Sequence, residues 1–242
     1  MIGKSITELD SVDNTNNYIA KAIEGGEYRW GTAIMAHFQS DGRGQRGASW
    51  QSAKGKNLTF SFALPLEDFD SRAFFNVSRI ISLALVNTLR QLNAEKVQIK
   101  WPNDILVDRK KVAGILIENK LSKNPAAICG IGLNVNQTEF IDLPQATSLS
   151  LQRSQSFDLP QIFNLLLINL NKEWSALSSG DFRNLKADYD RELFSLNENI
   201  DYEVNGEMRT GLIVGTTADG RLIIKTKNQE KAFLPKGLKL LY

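Results

Sequence analysis

The chain has 242 residues, a net charge of +2 and an apolar content of 42%, which are ordinary values for a globular protein with a full core. So small a net charge excludes a protein that binds nucleic acid through its whole surface. With one cysteine and one histidine, an intrachain disulfide framework, a cysteine-based zinc site and a histidine-rich metal site are excluded too. Because the sequence shows neither a signal segment nor an apolar run of membrane-spanning length, we expect a cytoplasmic protein with no membrane partner.

The N-terminal part of the chain predicts one helix and two buried strands. Residues 6–12 show no clear pattern, but Asn14 and Thr15 offer N-cap side chains for a helix that runs to about Glu24. For these two residues, capping and ligand binding remain equally open. Residues 31–38 predict a strand, Gln39 stands at its exit, and residues 57–64 predict a second strand.

The middle of the chain predicts a long helix and then a group of strands. Residues 71–92 keep one face apolar at helical spacing. Short strands follow at 97–100, 105–107, 111–118 and 126–135, with a hairpin turn at 108–110. The first of these strands ends at Lys100-Trp101-Pro102-Asn103-Asp104, and the last contains Gly130 and Gly132, which indicate a close backbone approach.

The C-terminal part of the chain changes character at about residue 193. Before it, residues 145–158 predict a polar loop, residues 159–177 a second amphipathic helix, and residues 181–192 a short helix. After it, short apolar runs alternate with tight turns, which predicts a small β-barrel. We therefore expect a larger domain over residues 1–192 and a small β-barrel domain over residues 193–242.

A loop of three glycines and two arginines, residues 41–50, follows the first predicted strand and ends at Trp50. Glycine permits close backbone approach and arginine supplies a fork of donors, so this loop predicts a cradle for an anionic ligand; a solvated basic turn is the alternative. Gly42, Gly44 and Gly47 also fit the dinucleotide fingerprint. We reject that fingerprint because no helix follows the loop, and the chain has no P-loop either.

The remaining polar groups interrupt the apolar segments at strand ends or helix starts. They are Asn14-Thr15-Asn16, Gln39, the 100–104 turn, Lys111 and Asn134. Basic side chains that neutralise a triphosphate, with a lysine that stabilises charge at phosphorus, would suit nucleotidyl transfer to a carboxylate. Without a second histidine, no familiar nucleophilic constellation competes with this interpretation.

Four motifs in register resemble those of the biotin protein ligases. They are Gly42-Arg43-Gly44-Gln45-Arg46-Gly47-Ala48-Ser49-Trp50, the intact Lys-Trp-Pro-Asn-Asp at 100–104, Lys111 to Glu118, and Gly130 to Asn134. The resemblance covers about residues 8–136. It implies an α+β fold with a mixed β-sheet ligase domain packed with helices, as in class II synthetases and biotin–lipoate ligases, and a C-terminal SH3-like β-barrel.

The resemblance also implies a two-step reaction with ATP and biotin as substrates and Mg²⁺ as cofactor. Biotin and ATP give biotinyl-5′-AMP, and a lysine of an apo biotin carboxyl carrier protein then takes the biotin. A homodimer is a further implied possibility. The implied catalytic residues are Lys111, Arg43 and Arg46. The implied biotin-binding residues are Asn14, Thr15, Asn16, Gln39, Gly42, Arg43, Gly44, Gln45, Lys111 and Gly114. The implied ATP-binding residues are Arg43, Arg46, Trp50, Lys100, Asn103, Asp104, Lys111 and Asn134, with Asp104 also implied as a Mg²⁺ ligand.

Three features depart from the family's pattern. Asn14 replaces a frequent serine, and Gln45 and Ala48 replace two arginines of the glycine loop. The chain starts directly at the ligase domain, so we expect a short form that does not bind DNA. A lipoate–protein ligase and a non-catalytic biotin- or nucleotide-binding regulator remain the alternatives. Retention of Lys111, Arg43 and Asp104 speaks against the regulator.

Overall fold

The structure is a computed structural model that describes residues 1–66, 74–120, 125–179, 184–227 and 229–241. Its larger sheet has seven strands in the order β1-β2-β3-β7-β6-β5-β4. β1 pairs with β2 in parallel, and the other neighbours pair antiparallel. The strands are β1 (Ser5–Leu9), β2 (Thr32–Ala36), β3 (Leu58–Pro65), β4 (Val97–Lys100), β5 (Asp104–Val107), β6 (Lys110–Lys120) and β7 (Ala126–Leu133).

Helices cover both faces of this sheet, because neighbouring residues of a strand point to opposite sides. α1 (Thr15–Glu24) buries Ile19 and Ile23 against Ile34 of β2 and Ala63 of β3. On the other face, α2 (Phe75–Gln91) packs against α4 (Leu159–Ser178) over a larger apolar cluster. The mixed sheet packed with helices that the sequence predicts is confirmed.

Most predicted elements agree with the observed ones, and two segments differ. The strand β1 carries no sequence pattern because it is a partly exposed edge strand with mixed burial. The predicted loop at 145–158 is wrong over α3 (Leu149–Arg153), a helix too short to show periodicity, which Ser148 caps by accepting from the Leu151 amide. The starts of the helices predicted at 71–92 and 181–192 lie outside the described residues, and their remainders are α2 and α5 (Leu185–Arg191).

A second sheet follows α5 and is antiparallel, in the order β11-β10-β9-β8-β12. Its strands are β8 (Asn199–Val204), β9 (Glu207–Thr216), β10 (Leu222–Lys225), β11 (Glu230–Phe233) and β12 (Lys239–Leu240). Within the described ranges β11 and β12 are its two edges, so closure into a barrel remains a prediction, as does the division at residue 193. No described helix has the length and apolar content needed to cross a membrane.

Candidate active site

One cavity of about 260 Å³ collects the polar interruptions that the sequence places at element ends. Its walls come from the start of α1, the glycine loop, the 100–104 turn, and strands β6 and β7. A further wall comes from the second sheet, through residues 238–240 around β12. Segments that lie far apart in the chain therefore meet here, because the order β3-β7-β6-β5-β4 brings their ends to one side of the sheet.

A hydrogen-bonded polar network forms the floor of the cavity at the start of α1. Gln39 Oε1 accepts from the Thr15 amide at 2.8 Å and from the Thr15 hydroxyl at 3.0 Å. The Ser61 hydroxyl donates to Asn16 Oδ1 at 2.6 Å, and Asn16 Nδ2 donates to Glu118 Oε2 at 2.8 Å. Because these bonds fix the side chains, the floor is preorganised before a ligand arrives.

Asn14 combines the two roles that the sequence left open. Its side-chain oxygen caps α1 by accepting from the amides of Asn16 and Asn17, at 2.9 and 3.3 Å. Its Nδ2 donates to the Asp41 carbonyl at 3.3 Å, at the start of the glycine loop, and the residue also lines the cavity. Asn14 is therefore both a helix cap and a candidate ligand donor.

The glycine loop folds back on itself and presents its arginines to the two sides of the cavity. The Trp50 amide donates to the Gly42 carbonyl at 2.8 Å, and residues Gln45–Gly47 form a 3-10 turn with Arg46 at φ +59°. Arg43 donates to Asn17 Oδ1 at 2.6 Å and pairs with Glu118 at 3.2 Å, on the floor side. Arg46 points the other way and contacts the Leu238 carbonyl at 3.5 Å.

The glycines of β6 and β7 make room for neighbouring side chains. A Cβ at Gly132 would lie closer than 3.0 Å to the Trp50 indole, and one at Gly130 would lie equally close to Asn16 Oδ1. Trp50 thus packs directly on the sheet backbone, and its buried Nε1 has no hydrogen-bond partner within the described residues. The close approach that the sequence predicts for these glycines is confirmed.

Two lysines flank the carboxylate of Asp104 beside the indole. Lys111 Nζ lies 2.7 Å from Asp104 Oδ1, and Lys100 Nζ lies 3.6 Å from Oδ2. The Lys111 ammonium also lies 5.5 Å from the centroid of the Trp50 ring. The arrangement places one cation, held by a carboxylate, on the cavity wall, where it can meet negative charge.

The cavity brings together most of the residues that the sequence assigns to the site. The residues that line it are Asn14, Thr15, Asn16, Gln39, Arg43, Gly44, Gln45, Arg46, Trp50, Lys100, Asn103, Asp104, Lys111 and Gly114. Gly42 and Asn134 do not line it. Gly42 packs against the Trp50 carbonyl, and Asn134 is buried with Nδ2 bonded to the Thr147 carbonyl and Oδ1 without a hydrogen-bond partner among the described residues.

Sequence reasoning missed the wall from the second sheet. Residues 238–240 line the cavity because β12 pairs with β8 at the edge of that sheet, and no motif marks this pairing. It also missed Thr59 of β3 and the pair Trp101 and Pro102, which are cavity residues as well. The Lys-Trp-Pro-Asn-Asp motif at 100–104 is a sequence signal for Trp101 and Pro102. The resemblance implies binding roles only for its charged and amide residues.

Comparisons with known proteins agree with this geometry. The model of the biotin/lipoate A/B protein ligase family matches residues 8–136. The bifunctional ligase/repressor BirA of Escherichia coli is 39% identical over 55% of this chain and 41% of its own length. The biotin–[acetyl-CoA-carboxylase] ligase of Mycobacterium tuberculosis is 32% identical over 61% of this chain and 56% of its own length. This chain thus spans about half the length of these two relatives.

A solved structure extends the likeness to nearly the whole chain. The biotin protein ligase from Aquifex aeolicus, in complex with biotin and ATP, superposes with a TM-score of 0.85 at 27% identity. The match covers 98% of this chain and 99% of that one, so it includes the second sheet. Together with the family match over more than half of the residues, it shows that the chain belongs to the biotin/lipoate A/B protein ligase family.

Proposed function

We propose that this chain is a biotin–protein ligase that first makes biotinyl-5′-AMP from biotin and ATP. It then transfers biotin to a lysine of a biotin carboxyl carrier protein. One observation carries the proposal: Lys111 Nζ stands at the junction between a preorganised polar floor and a cationic wall, held there by Asp104 at 2.7 Å. A cation at this point meets both the carboxylate of one substrate and the α-phosphate of the other.

The floor of the cavity suits the neutral head of biotin. Its ureido group carries one acceptor and two donors, which match the amide and hydroxyl groups of Asn14, Thr15 and Gln39. Thr15 already occupies Gln39 Oε1, so the Gln39 amide nitrogen is the group left to donate. Arg43, next to the floor, would receive the carboxylate, with the Glu118 pair holding its guanidinium in place.

The opposite wall suits ATP. Arg46, Lys100 and Lys111 supply positive charge for the phosphates, and Trp50 offers an aromatic face to adenine. Among the described residues, Asn134 Oδ1 is a buried acceptor without a hydrogen-bond partner, and the adenine amino group would satisfy it. In the adenylation step Lys111 would neutralise charge that develops on the α-phosphate, and in the transfer step it would stabilise the departing AMP.

The described part of the chain offers no acidic cluster for magnesium. Within the described residues no cluster of three or more acidic, histidine or cysteine ligands occurs. The one carboxylate proposed as a ligand, Asp104, is already flanked by Lys100 and Lys111. A divalent cation beside two ammonium groups is disfavoured, so this residue set does not fit a resident magnesium ion. We assign Asp104 instead to the positioning of Lys111.

The remaining partners follow from the proposed reaction. The carrier protein must bring its lysine to the open side of the cavity. A homodimer remains part of the proposal, with β1 as an available sheet edge.

The net charge of +2 supports the absence of non-specific DNA binding, and a gel shift at low salt with a biotin-operon promoter fragment tests sequence-specific binding.

Biotin-dependent exchange between ATP and pyrophosphate tests the proposed function. We expect wild type to catalyse exchange, and Lys111→Ala to lower it by about 10³-fold, since it removes a group that acts on the transition state. Lys110→Ala is the matched control, because Lys110 is the adjacent lysine of β6 and is exposed. Exchange that needs lipoate instead of biotin would indicate a lipoate–protein ligase, and no exchange with either acid would indicate a binding protein.

The second half of the reaction needs its own assay. Wild type mixed with biotin, ATP and an apo carrier domain should give a carrier whose mass rises by one biotinyl group. A carrier domain with its acceptor lysine replaced by arginine is the control. Exchange without transfer to the intact carrier would contradict the ligase part of the proposal while leaving the adenylation part in place.

A further inference from the structure

Arg79 lies outside the cavity, in the interior of the molecule, and joins its two sheets. It belongs to α2, and only 2% of its surface is exposed. Its guanidinium donates to the Thr217 carbonyl at 2.7 Å and to the Ala218 carbonyl at 3.0 Å. Both acceptors belong to the turn between β9 and β10. A side chain of the helix that packs on the first sheet is therefore hydrogen-bonded to the backbone of the second sheet.

The remaining contacts of the guanidinium hold it in a fixed direction. It donates to Asn76 Oδ1 at 2.6 Å and to Thr216 Oγ1 at 3.3 Å. Its carbon lies 4.9 Å from the Phe75 ring centroid and 5.9 Å from that of Tyr189. Nη1 and Nη2 make these hydrogen bonds, while the buried Nε has no partner among the described residues. A buried cation is costly unless most of its donors are used, and a leucine would fill such a space at lower cost. The selection of arginine here points to a requirement for geometry rather than for burial alone.

A residue that lines the cavity is also hydrogen-bonded to this turn. Trp101, in the 100–104 turn, donates from Nε1 to the Gly220 carbonyl at 2.9 Å, and the bond is buried. A Cβ at Gly220 would lie closer than 3.0 Å to the Phe75 ring. Only glycine at position 220 therefore allows the turn to pack this closely against α2. Residues 217–220 are thus held between α2 and the wall of the cavity, and we call this contact the clamp.

The clamp sets the position of the wall that the second sheet gives to the cavity. β9 leaves the clamp and pairs with β8, and β8 pairs with β12. The residue before β12, Leu238, offers its carbonyl to Arg46 of the glycine loop at 3.5 Å. Residues 217–220 are thus connected to residues 238–240 through two strand pairings, and this connection ends at the carbonyl that Arg46 contacts.

We propose that Arg79 is a positioning residue for ATP, which acts through the clamp by holding residues 238–240 and Arg46 at the phosphate side of the cavity. The proposal rests on the function proposed above. Biotin binding should not depend on Arg79, because the floor made by Thr15, Asn16 and Gln39 lies on elements that the clamp does not touch.

Steady-state exchange kinetics on Arg79→Met test this assignment. We expect the KM for ATP to rise about tenfold with a smaller change in kcat, since a ground-state contact with the nucleotide is displaced. The Kd for biotin without ATP should stay within about twofold of wild type. A general loss of structure would instead weaken the binding of both ligands. Thr216→Val removes the hydroxyl that accepts from the guanidinium at 3.3 Å and donates to Asp190 Oδ1 at 2.6 Å, and it should give a smaller rise in the same constant.

Arg90→Met is the matched control. Arg90 lies on the same helix and forms a two-bond pair with Glu192, but it does not reach the second sheet. Its loss should leave the KM for ATP unchanged. If Arg79→Met and Arg90→Met change this constant equally, or if Arg79→Met weakens biotin and ATP alike, the positioning role is wrong.

Amide hydrogen exchange separates the clamp from the proposed function. We expect residues 238–240 to exchange faster in Arg79→Met than in wild type, with the amides of β6 and β7 unchanged. Hydrogen exchange can be measured without enzyme activity. If wild type shows no biotin-dependent ATP–pyrophosphate exchange, the proposed function is wrong, but the effect of Arg79 on residues 238–240 can still be measured. If hydrogen exchange at residues 238–240 is the same in Arg79→Met and wild type, the clamp does not hold these residues, even if the enzyme is fully active.

Discussion

The Trp50 indole occupies the space that a side chain on Gly132 would need. A Cβ at Gly132 would lie closer than 3.0 Å to three atoms of the ring, including the buried Nε1. The ring also has Lys111 Nζ at 5.5 Å from its centroid, so its position links the sheet backbone to the cation at the centre of the cavity. The glycine of β7 is thus part of the site although it carries no functional group.

Gly132→Ala should therefore displace Trp50 and lower exchange activity. We expect a loss of about tenfold or more, carried mainly by the KM for ATP, because the added methyl group pushes the aromatic face out of the adenine position. Gly237→Ala is the control, since nothing lies within 4 Å of a Cβ at Gly237. Wild-type kinetics for both variants would show that the Trp50 position does not matter for catalysis.

The two roles of Asn14 can be separated by substitution. Asn14→Ala loses the cap of α1, and we expect it to lower the free energy of unfolding by about 1 kcal/mol and to weaken biotin binding. Asn14→Asp keeps an oxygen for the cap but loses the Nδ2 donor, so it should retain stability and still bind biotin poorly. Thermal denaturation and calorimetric titration with biotin measure the two quantities.

Asp158→Ala provides the matched control for that pair. Asp158 caps α4 by accepting from the Gln161 amide at 2.9 Å, and it does not line the cavity. We expect a loss of about 1 kcal/mol in stability with an unchanged Kd for biotin. Equal weakening of biotin binding by Asp158→Ala and Asn14→Ala would mean that Asn14 acts only through helix stability.

Gln45 is the place where the glycine loop should hold its product less tightly than a loop with arginine. An arginine there would add a charge-assisted donor beside the adenylate, so we expect Gln45→Arg to slow release of biotinyl-AMP by about tenfold. Gln45→Met, which adds no charge, is the control. Single-turnover reactions followed by rapid filtration measure release, and equal rates for wild type and Gln45→Arg would contradict this expectation.

The partly buried phenol of Tyr28 predicts a loss of stability at alkaline pH. Burial raises the pKa of Tyr28 to about 12, while its oxygen accepts from the Ala63 amide and donates to the Thr32 carbonyl at 2.7 Å. Between pH 10 and 12 the unfolded chain loses this proton and the folded chain keeps it. The free energy of unfolding should therefore fall by about 1.4 kcal/mol per pH unit in this range, and be constant below it on account of this group.

Urea denaturation at several pH values between 9 and 12 checks this prediction. Tyr28→Phe should show a shallower fall with pH, although not a flat one, because burial also raises the pKa of Tyr189 and of the Cys129 thiol. Tyr18→Phe is the control, since the Tyr18 side chain is 38% exposed. The same slope in Tyr28→Phe and wild type would show that this phenol does not control alkaline stability.

The elements that the sequence predicts well are those whose pattern comes from one buried face. The 3.6-residue period of α2 and α4 and the glycine-rich run of β7 identify these elements without tertiary information. The failures have physical causes. β1 is an exposed edge strand, and α3 has only five residues, so neither repeats a pattern often enough to be recognised.

The site divides along the same line. Residues inside contiguous motifs, such as Lys111 and the charged ends of the 100–104 turn, were assigned from the sequence and lie in the cavity. Residues 238–240 and Thr59 were not assigned, because their place depends on strand pairings between distant segments. The burial of Arg79 carries no sequence signal, since a sequence shows that a charge occurs on a helix but not that it is buried.

The wall from β12 also affects when the pocket can form. Asn14 and Leu240 meet in the cavity although almost the whole chain separates them. Closing so long a loop costs chain entropy before any contact repays it. During synthesis the floor can assemble once β6 has been made, since Glu118 of β6 belongs to it, but the nucleotide side has to await the last strand. A nascent chain should therefore be able to retain biotin before it can use ATP, which orders the acquisition of the two substrates during folding.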